Sequence, residues 1–265
     1  MDNLKIKILG CGLAMGIPNI EFGWGSTNPN NTKNRRTRTS INIIKENVSI
    51  LVDTSPDLYT QAFYNNVSSV DAVIYTHAHA DHFHGVDAIR SFNRISNKAI
   101  DCYFIKEVGD EIEKTFPYVF KALTKKELQE KGYFKPSLIK NYIKYYKEFE
   151  ISGIKILPTL QNHGYINSTG FIIDNFVYAT DVVKIPEETK TLYKNKHTLI
   201  LGVLGKKPHP AHMCLDEAIA LIDDLKPEKA YLTHLGGSMD FDEISSILPK
   251  NVHMCYDGLE ITVPK

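Results

Sequence analysis

Short apolar runs separated by polar turns dominate the chain, and most of them predict β-strands. In the first half we expect strands at residues 5–9, 40–44, 48–52 and 70–75. In the second half we expect strands at residues 154–157, 168–173, 176–179, 199–203, 229–233 and 261–263. Short helices are expected near 57–64 and 86–92. Helical spacing is clearest at 215–225, where Asp216 and Glu217 favour the N-terminus.

The order of these elements predicts the architecture. Strands are followed by mixed helical sequence, and the same succession then repeats, which suggests an α/β fold of two similar halves in one domain over residues 1–265. Residues 107–146 are less regular than the rest. They could form an insertion that acts as a lid over a site, or an amphipathic surface segment, and the sequence leaves both open.

Composition narrows the class of protein. A chain of 265 residues can bury a substantial core without disulfides. Lys and Arg number 31, as do Asp and Glu, so zero net charge argues against nucleic acid or an anionic membrane as a partner. The four cysteines are widely spaced, which suits a reduced, cytoplasmic protein. No apolar run approaches the ~20 residues of a membrane-spanning helix.

One cluster of polar residues follows the apolar strand at 70–75. His77, His79, Asp81 and His82 lie within six residues of one another. Three imidazoles and a carboxylate cannot all be satisfied by an apolar core, and they are ligand types that suit a divalent metal. The cluster therefore predicts a metal site.

Three further candidate ligands each come at or after the end of an apolar run: His163, Asp181 and His234. Singly, a histidine at a strand end is more often structural than a ligand. Sites nevertheless collect at strand ends in α/β folds. Together with the cluster, these residues would provide five histidines and two aspartates, enough for two metals that each keep a position open for water.

These motifs resemble those of the metallo-β-lactamase superfamily over nearly the whole chain. The resemblance implies a four-layered αβ/βα sandwich of two mixed β-sheets flanked by helices. It implies two divalent metal ions, with Zn²⁺ favoured and Mn²⁺ as the alternative. It also implies the ligands: His77, His79 and His163 for one metal, Asp81, His82 and His234 for the other, and Asp181 as the bridge.

Other motifs point to a branch of the superfamily. Asp181 stands at a position that resembles that of a cysteine in true β-lactamases, which argues against that activity. His212, in Pro208-His209-Pro210-Ala211-His212, lies at a position similar to that of a histidine that acts near the leaving group in phosphodiesterases of the superfamily. The early Gly10-Cys11-Gly12 and the Arg-rich loop resemble the PhnP-type cyclic phosphodiesterases. Those enzymes carry a cysteine-rich structural zinc, whereas the corresponding loop here has no cysteine, so we expect no structural zinc.

The resulting hypothesis is a dinuclear hydrolase that cleaves a small or cyclic phosphodiester with a metal-bridging hydroxide. Asp81 and His212 would be catalytic, and Arg35 and Arg36 would bind phosphate, unless the basic loop is merely solvated. The alternatives are a thioester or lactone hydrolase and a tRNA-processing nuclease. The nuclease hypothesis lacks support, because the sequence contains no evident long Gly- and Lys-rich arm of the kind that grips tRNA. If the chain associates, a homodimer is expected, since dimers are the commonest assembly.

Overall fold

The computed structural model describes residues 3–264, which form two seven-stranded sheets. With strands numbered in chain order, the first sheet contains β1 (Leu4–Gly10), β2 (Ser40–Lys45), β3 (Val48–Val52), β4 (Ala72–Ile74), β5 (Ile100–Ile105), β6 (Leu138–Ile143) and the final strand β14 (Glu260–Val263). The second contains β7 (Phe149–Ile151), β8 (Ile154–His163), β9 (Ile166–Ile173), β10 (Phe176–Ala179), β11 (Thr198–Gly202), β12 (Lys229–Thr233) and β13 (Val252–Met254).

Both sheets are mixed, and their strand orders are alike. The first runs β14-β1-β2-β3-β4-β5-β6, and its strands are antiparallel as far as β3 and parallel from β3 to β6. The second runs β13-β12-β11-β10-β9-β8-β7, parallel from β10 to β13 and antiparallel elsewhere. The prediction of two similar halves is confirmed.

The pleat of the central strands divides the core into two regions. Ile50 and Val52 join the apolar cluster between the two sheets, whereas Leu51 faces a second cluster on the outer side of the first sheet. β4 repeats the arrangement, because Ile74 points inward and Val73 outward. A strand that is apolar at every position is therefore buried on both faces, each such side chain contributing about 1.5–3 kcal/mol.

Eight α-helices are present in the described chain: α1 (Leu58–Tyr64), α2 (Ala80–Phe83), α3 (Ile89–Ser96), α4 (Lys106–Thr115), α5 (Lys125–Lys131), α6 (Glu187–Tyr193), α7 (Leu215–Leu225) and α8 (Phe241–Ile247). The bounds of α7 match the prediction, and Leu215, Ala218 and Ile222 are buried on one face of it. Helices thus flank both sheets, and the predicted four-layered sandwich is confirmed.

Several strands were missed or predicted too short. β8 extends to His163 rather than ending near residue 157. The strands β5, β6, β7 and β13 were not predicted, because they carry charged or amide side chains or are only three residues long. Asp57 precedes α1, but its side chain does not cap the helix; it accepts hydrogen bonds from the Arg38 backbone and guanidinium instead.

The segment 107–146 is partly a component of the sheet. It contains most of α4, all of α5, and β6, which pairs in parallel with β5 from Ile100↔Leu138 to Ile105↔Ile143. The last part of the segment thus contributes a strand to the first sheet. Whether the segment is an insertion or a lid stays a prediction.

The long polar loop at residues 16–39 is fixed by hydrogen bonds to the segment after β12. Asp240 caps α8 through the Asp242 and Glu243 amides, and it also accepts hydrogen bonds from the Asn28 amide at 2.9 Å and the Asn34 side chain at 2.7 Å. One carboxylate therefore joins the early loop to a helix more than 200 residues away in sequence.

None of the helices in residues 3–264 combines the length and the apolar character that a bilayer crossing requires.

A second carboxylate, the half-buried Asp257, ties the C-terminal region to the end of β1. It accepts hydrogen bonds from the Cys11 amide at 3.0 Å and from the Thr37 amide at 2.7 Å. Burial raises the pKa of Asp257 to about 6, although the hydrogen bonds from Thr37 and Cys11 oppose the shift.

We predict a pH-dependent stability that originates at Asp257. Between about pH 4 and pH 6 the carboxyl is ionised in the unfolded chain but keeps its proton in the folded one. The folded state then binds more protons, so the free energy of unfolding should fall by up to ~3 kcal/mol as pH rises through this interval. Asp257→Asn should lose this slope in urea denaturation measured across the interval. Asp110→Asn, a surface control, should keep it, and an unchanged slope in Asp257→Asn would contradict the assignment.

Candidate metal centre

Four strand ends at one edge of the two sheets bring the predicted ligands together. The turn after β4 carries His77 and His79, and α2 follows it with Asp81 and His82. From the second sheet, His163 is the last residue of β8, and Asp181 and His234 follow β10 and β12. All seven predicted ligands therefore meet at a single place.

The ligand atoms fall into two groups that share one residue. The first group contains His77, His79, His163 and Asp181, and the second contains Asp81, His82, Asp181 and His234. Within each group the candidate ligand atoms lie within 4.8 Å of one another. Each group is thus compact enough to hold one metal ion. This division is the same as the one that the family resemblance implies.

Asp181 occupies the position between the groups. Its Oδ2 lies 3.5 Å from His163 Nε2 in the first group and 3.4 Å from His234 Nε2 in the second. Its Oδ1 lies 3.3 Å from His82 Nε2. A carboxylate with oxygens facing both groups is suited to bridge two cations.

Unpaired nitrogens test whether these residues fit metal ions. Within residues 3–264, Nε2 of His77 and His82 and both ring nitrogens of His234 are buried without a hydrogen-bond partner. His163 Nε2 and His79 Nδ1 face each other at 3.1 Å. Buried polar atoms are normally hydrogen-bonded, so orphan nitrogens that converge on two carboxylates require another partner. Neutral imidazole and carboxylate are good ligands for Zn²⁺ and Mn²⁺, and the residues fit such ions.

The electrostatics of the cluster favour ionised carboxylates. Burial opposes ionisation of Asp181, but the neighbouring His234 and His82 hold its pKa well below the ordinary value. Burial likewise opposes a charge on His82, yet Asp81 and Asp181 raise its pKa well above the ordinary value. Burial, reinforced by His82, lowers the pKa of His77. Metal ligands must be deprotonated, so a metal competes with the proton on His82.

Three residues of the centre adopt left-handed backbone conformations that rarely suit non-glycine residues. The φ angles are 63° at Asp53, 50° at Asp181 and 59° at His234. Such conformations cost of order 1–3 kcal/mol each and persist where the surroundings fix them. Their concentration at the ends of β3, β10 and β12 turns these side chains into the space between the sheets.

Asp53 is a functional candidate that the sequence analysis missed. Its carboxylate lies 2.7 Å from His82 Nδ1 and accepts hydrogen bonds from the Thr76 amide and hydroxyl, both at 2.8 Å. It therefore fixes the ring that offers Nε2 to the second group. A signal for it exists in the sequence, because Asp53 directly follows the apolar run at residues 48–52.

The structure places His212 against the two groups. Its ring stacks on His234, with centroids 4.7 Å apart, and its Nδ1 lies 4.0 Å from Asp181 Oδ2. The backbone next to it is held, since the Ala211 carbonyl lies 2.7 Å from His163 Nδ1. Burial, then His234, lowers the pKa of His212 to about 3, so the ring is neutral at pH 7. His209 is more exposed, and its ring is 5.2 Å from that of His212.

The two arginines have different environments, and the prediction for Arg36 needs correction. Only 1% of Arg36 is exposed, and its guanidinium donates to the Met239 carbonyl at 2.7 Å and the Asn34 side chain at 3.0 Å. It holds the early loop, and its near-complete burial does not favour contact with a substrate. Arg35 is exposed and lies over Trp24, with its Cζ 5.7 Å from the ring centroid. Substrate binding by Arg35 stays a prediction.

Comparison with known proteins identifies the family. A family model described as beta-lactamase superfamily domain matches residues 49–235, which is well over half of the chain. The chain therefore belongs to the beta-lactamase superfamily, and the match contains all seven clustered residues and His212. Its fold is that of the metal-dependent hydrolases of this superfamily.

Individual relatives differ in their described activities. A diphosphatase of the PhnP family is 27% identical, with a TM-score of 0.86 over 99% of this chain and 100% of that chain. Zn²⁺-bound PqqB from Methylobacterium extorquens is 14% identical, with a TM-score of 0.78 over 97% of this chain and 99% of that one. Human tRNase Z, short form, is 15% identical, with a TM-score of 0.65 over 98% and 100% of the two chains. The latter two likenesses concern the fold alone.

A curated relative from Porphyromonas gingivalis, named octanoyltransferase, is 30% identical over 264 residues. The match covers 98% of this chain but 52% of that protein, so the chain spans about half the length of this relative.

We predict that Asp53→Asn weakens metal binding by about 10–100-fold, because the amide cannot replace the carboxylate that orients His82. Chelator competition with Zn²⁺ measures the affinity. Asp110→Asn, on the surface of α4, should bind Zn²⁺ as the wild type does. Equal affinity in Asp53→Asn and the wild type would contradict a supporting role for Asp53.

Replacing the two arginines should separate a structural side chain from an exposed one. Arg36→Ala leaves buried carbonyls without donors and should lower the free energy of unfolding by ~3 kcal/mol. Arg35→Ala should change it by no more than ~0.5 kcal/mol. Urea denaturation of the two variants provides the measurement. A stable Arg36→Ala protein would show that the guanidinium does not hold the loop.

Proposed function

We propose that the protein hydrolyses a small or cyclic phosphodiester and uses two divalent metal ions. The observation that carries the proposal is the shared Asp181 between two compact ligand groups, with the His212 ring against both. Two metal ions bound by these neighbouring groups would suit the in-line displacement at phosphorus that phosphodiester cleavage requires.

The residues that would hold the ions are the two groups described above, with Asp181 common to both. When bound, the ions would supply an activated water and neutralise the charge that develops on the phosphate oxygens. Zn²⁺ is our first candidate and Mn²⁺ the second, since imidazole and carboxylate ligands accept either.

Two side chains would act on the substrate directly. Asp81 would accept a hydrogen bond from the attacking water and direct it at the phosphorus, besides serving as a ligand. A neutral His212 carries one N–H. Because its side chain is 14% exposed at the edge of the cluster, this N–H can donate to the leaving oxygen or to the phosphoryl group.

The relatives support a reaction at phosphorus. The PhnP-family structure with 27% identity is described as a diphosphatase, and tRNase Z shares the fold. Of these two directions we propose the small substrate, because zero net charge provides no general attraction for a polynucleotide. The cytoplasm is the proposed compartment, since all four cysteines are free and buried.

A second candidate is hydrolysis of a thioester. It is favoured by the name of the P. gingivalis relative, because transfer of an octanoyl group breaks an acyl bond. The name applies to a protein about twice as long as the matched region, so the activity could belong to its other half.

The test is metal analysis combined with hydrolysis of bis(p-nitrophenyl) phosphate. We expect about two equivalents of Zn²⁺ or Mn²⁺ per chain after loading and measurable release of p-nitrophenol. His212→Ala should retain the metals but lose about 10²–10⁴-fold in kcat, because a proton donor is removed. His253→Ala, at the surface of β13, should match the wild type.

Three outcomes would contradict the proposal or redirect it. Less than one equivalent of metal per chain after loading would contradict the claim that two ions bind. A fully loaded protein without activity on the phosphodiester would exclude the phosphodiesterase. Cleavage of octanoyl thioesters that His212→Ala leaves intact would favour the second candidate.

A further inference from the structure

The turn between β8 and β9 lies next to the first ligand group. β8 ends at His163 and β9 begins at Ile166, so only Gly164 and Tyr165 form the tip of this hairpin. Tyr165 is two residues from His163, which limits the distance between their Cα atoms to about 7 Å. The tip is therefore at the edge of the metal centre.

The hairpin tip is held on two sides. Gly164 has a φ of 73°, and a Cβ added there would lie 3.0 Å from both the Pro210 carbonyl oxygen and the Ala211 Cβ. The turn thus packs closely against the loop that carries His212. The Gly164 amide also donates to the Asn162 side chain at 3.2 Å. These contacts give the tip a fixed position.

Tyr165 is presented to solvent from this fixed tip. It is 94% exposed. Ile166, paired directly with His163, shares the face of the hairpin on which that ligand lies, and it is 38% exposed. An isolated exposed tyrosine is ordinary. An aromatic ring and an aliphatic side chain on a rigid turn beside a ligand form an apolar surface at the rim of the site.

From this arrangement we infer that Tyr165 and Ile166 form a subsite for a nucleobase, so that the substrate is a small nucleotide-like phosphodiester. The inference rests on the proposed phosphodiester hydrolysis. Tyrosine rings stack on any base because every base has a π-face. Because Gly164 packs against the loop that carries His212, the turn lies beside that loop. The subsite would therefore bind a base of the substrate close to the scissile phosphodiester.

The experiment compares two phosphodiesters that differ only in their bases. One is thymidylyl-(3′→5′)-thymidine, and the other is its analogue in which both bases are absent. With metal-loaded protein, Tyr165→Ala should reduce kcat/KM for the dinucleotide about tenfold and leave that for the abasic analogue within about twofold. Tyr165→Phe keeps the ring and should retain the wild-type values. Tyr59→Ala removes a 74% exposed tyrosine on α1 and serves as the control.

Equal losses on both substrates, or none on the dinucleotide, would overturn the subsite. Activity of the wild type on bis(p-nitrophenyl) phosphate reports on the proposed function separately. If the wild type cleaves no phosphodiester, the affinity for thymidine 5′-monophosphate, measured by calorimetry, still tests whether the subsite binds a base. About tenfold weaker binding to Tyr165→Ala would support it, and equal binding would overturn it.

Discussion

The burial of two carboxylates among imidazoles that lack hydrogen-bond partners is the constraint on which the functional edge of this protein depends. Asp181 stands at its centre, with oxygens facing both ligand groups. Unpaired buried polar groups are costly, and like charges in a low dielectric are costlier still. The arrangement becomes favourable when cations occupy it. The left-handed backbone conformations at Asp181 and His234 also cost energy. The fold tolerates these strained turns because they direct the candidate ligands inward.

The surroundings of the centre are polar and are fixed by hydrogen bonds. Asp53 orients His82 from the first sheet, while the Ala211 carbonyl holds His163 from the loop that also carries His212. Farther out, Asp240 attaches the early loop to α8. Asn34 and Arg36 hold the same loop through hydrogen bonds to Asp240 and to the Met239 carbonyl.

The fold was largely predictable where burial leaves a strong periodic signal. α7 and β10 begin and end where the apolar pattern does, because one face of the helix and both faces of the strand are buried. β5 and β6 were not predictable in this way. Their partly or fully exposed positions carry Asp101, Lys140 and Asn141, and the two strands pair in parallel with each other although they lie about 40 positions apart. Tertiary pairing, rather than local propensity, makes them strands.

The sequence by itself determined the chemistry of the site. Spacing within His77–His82 and the positions of His163, Asp181 and His234 at strand ends are properties of the chain, and the resemblance to a family assigned them to two groups. Only the tertiary structure decided which polar residues share that space. It placed Asp53 behind His82 and buried Arg36 within the early loop, and it set the turn of Gly164 and Tyr165 beside the loop of His212. Linear sequence records the type of each side chain. The partners of a side chain depend on how strands distant in sequence come together. Whether that side chain is a candidate ligand, a structural cation or an exposed aromatic ring depends on the same packing.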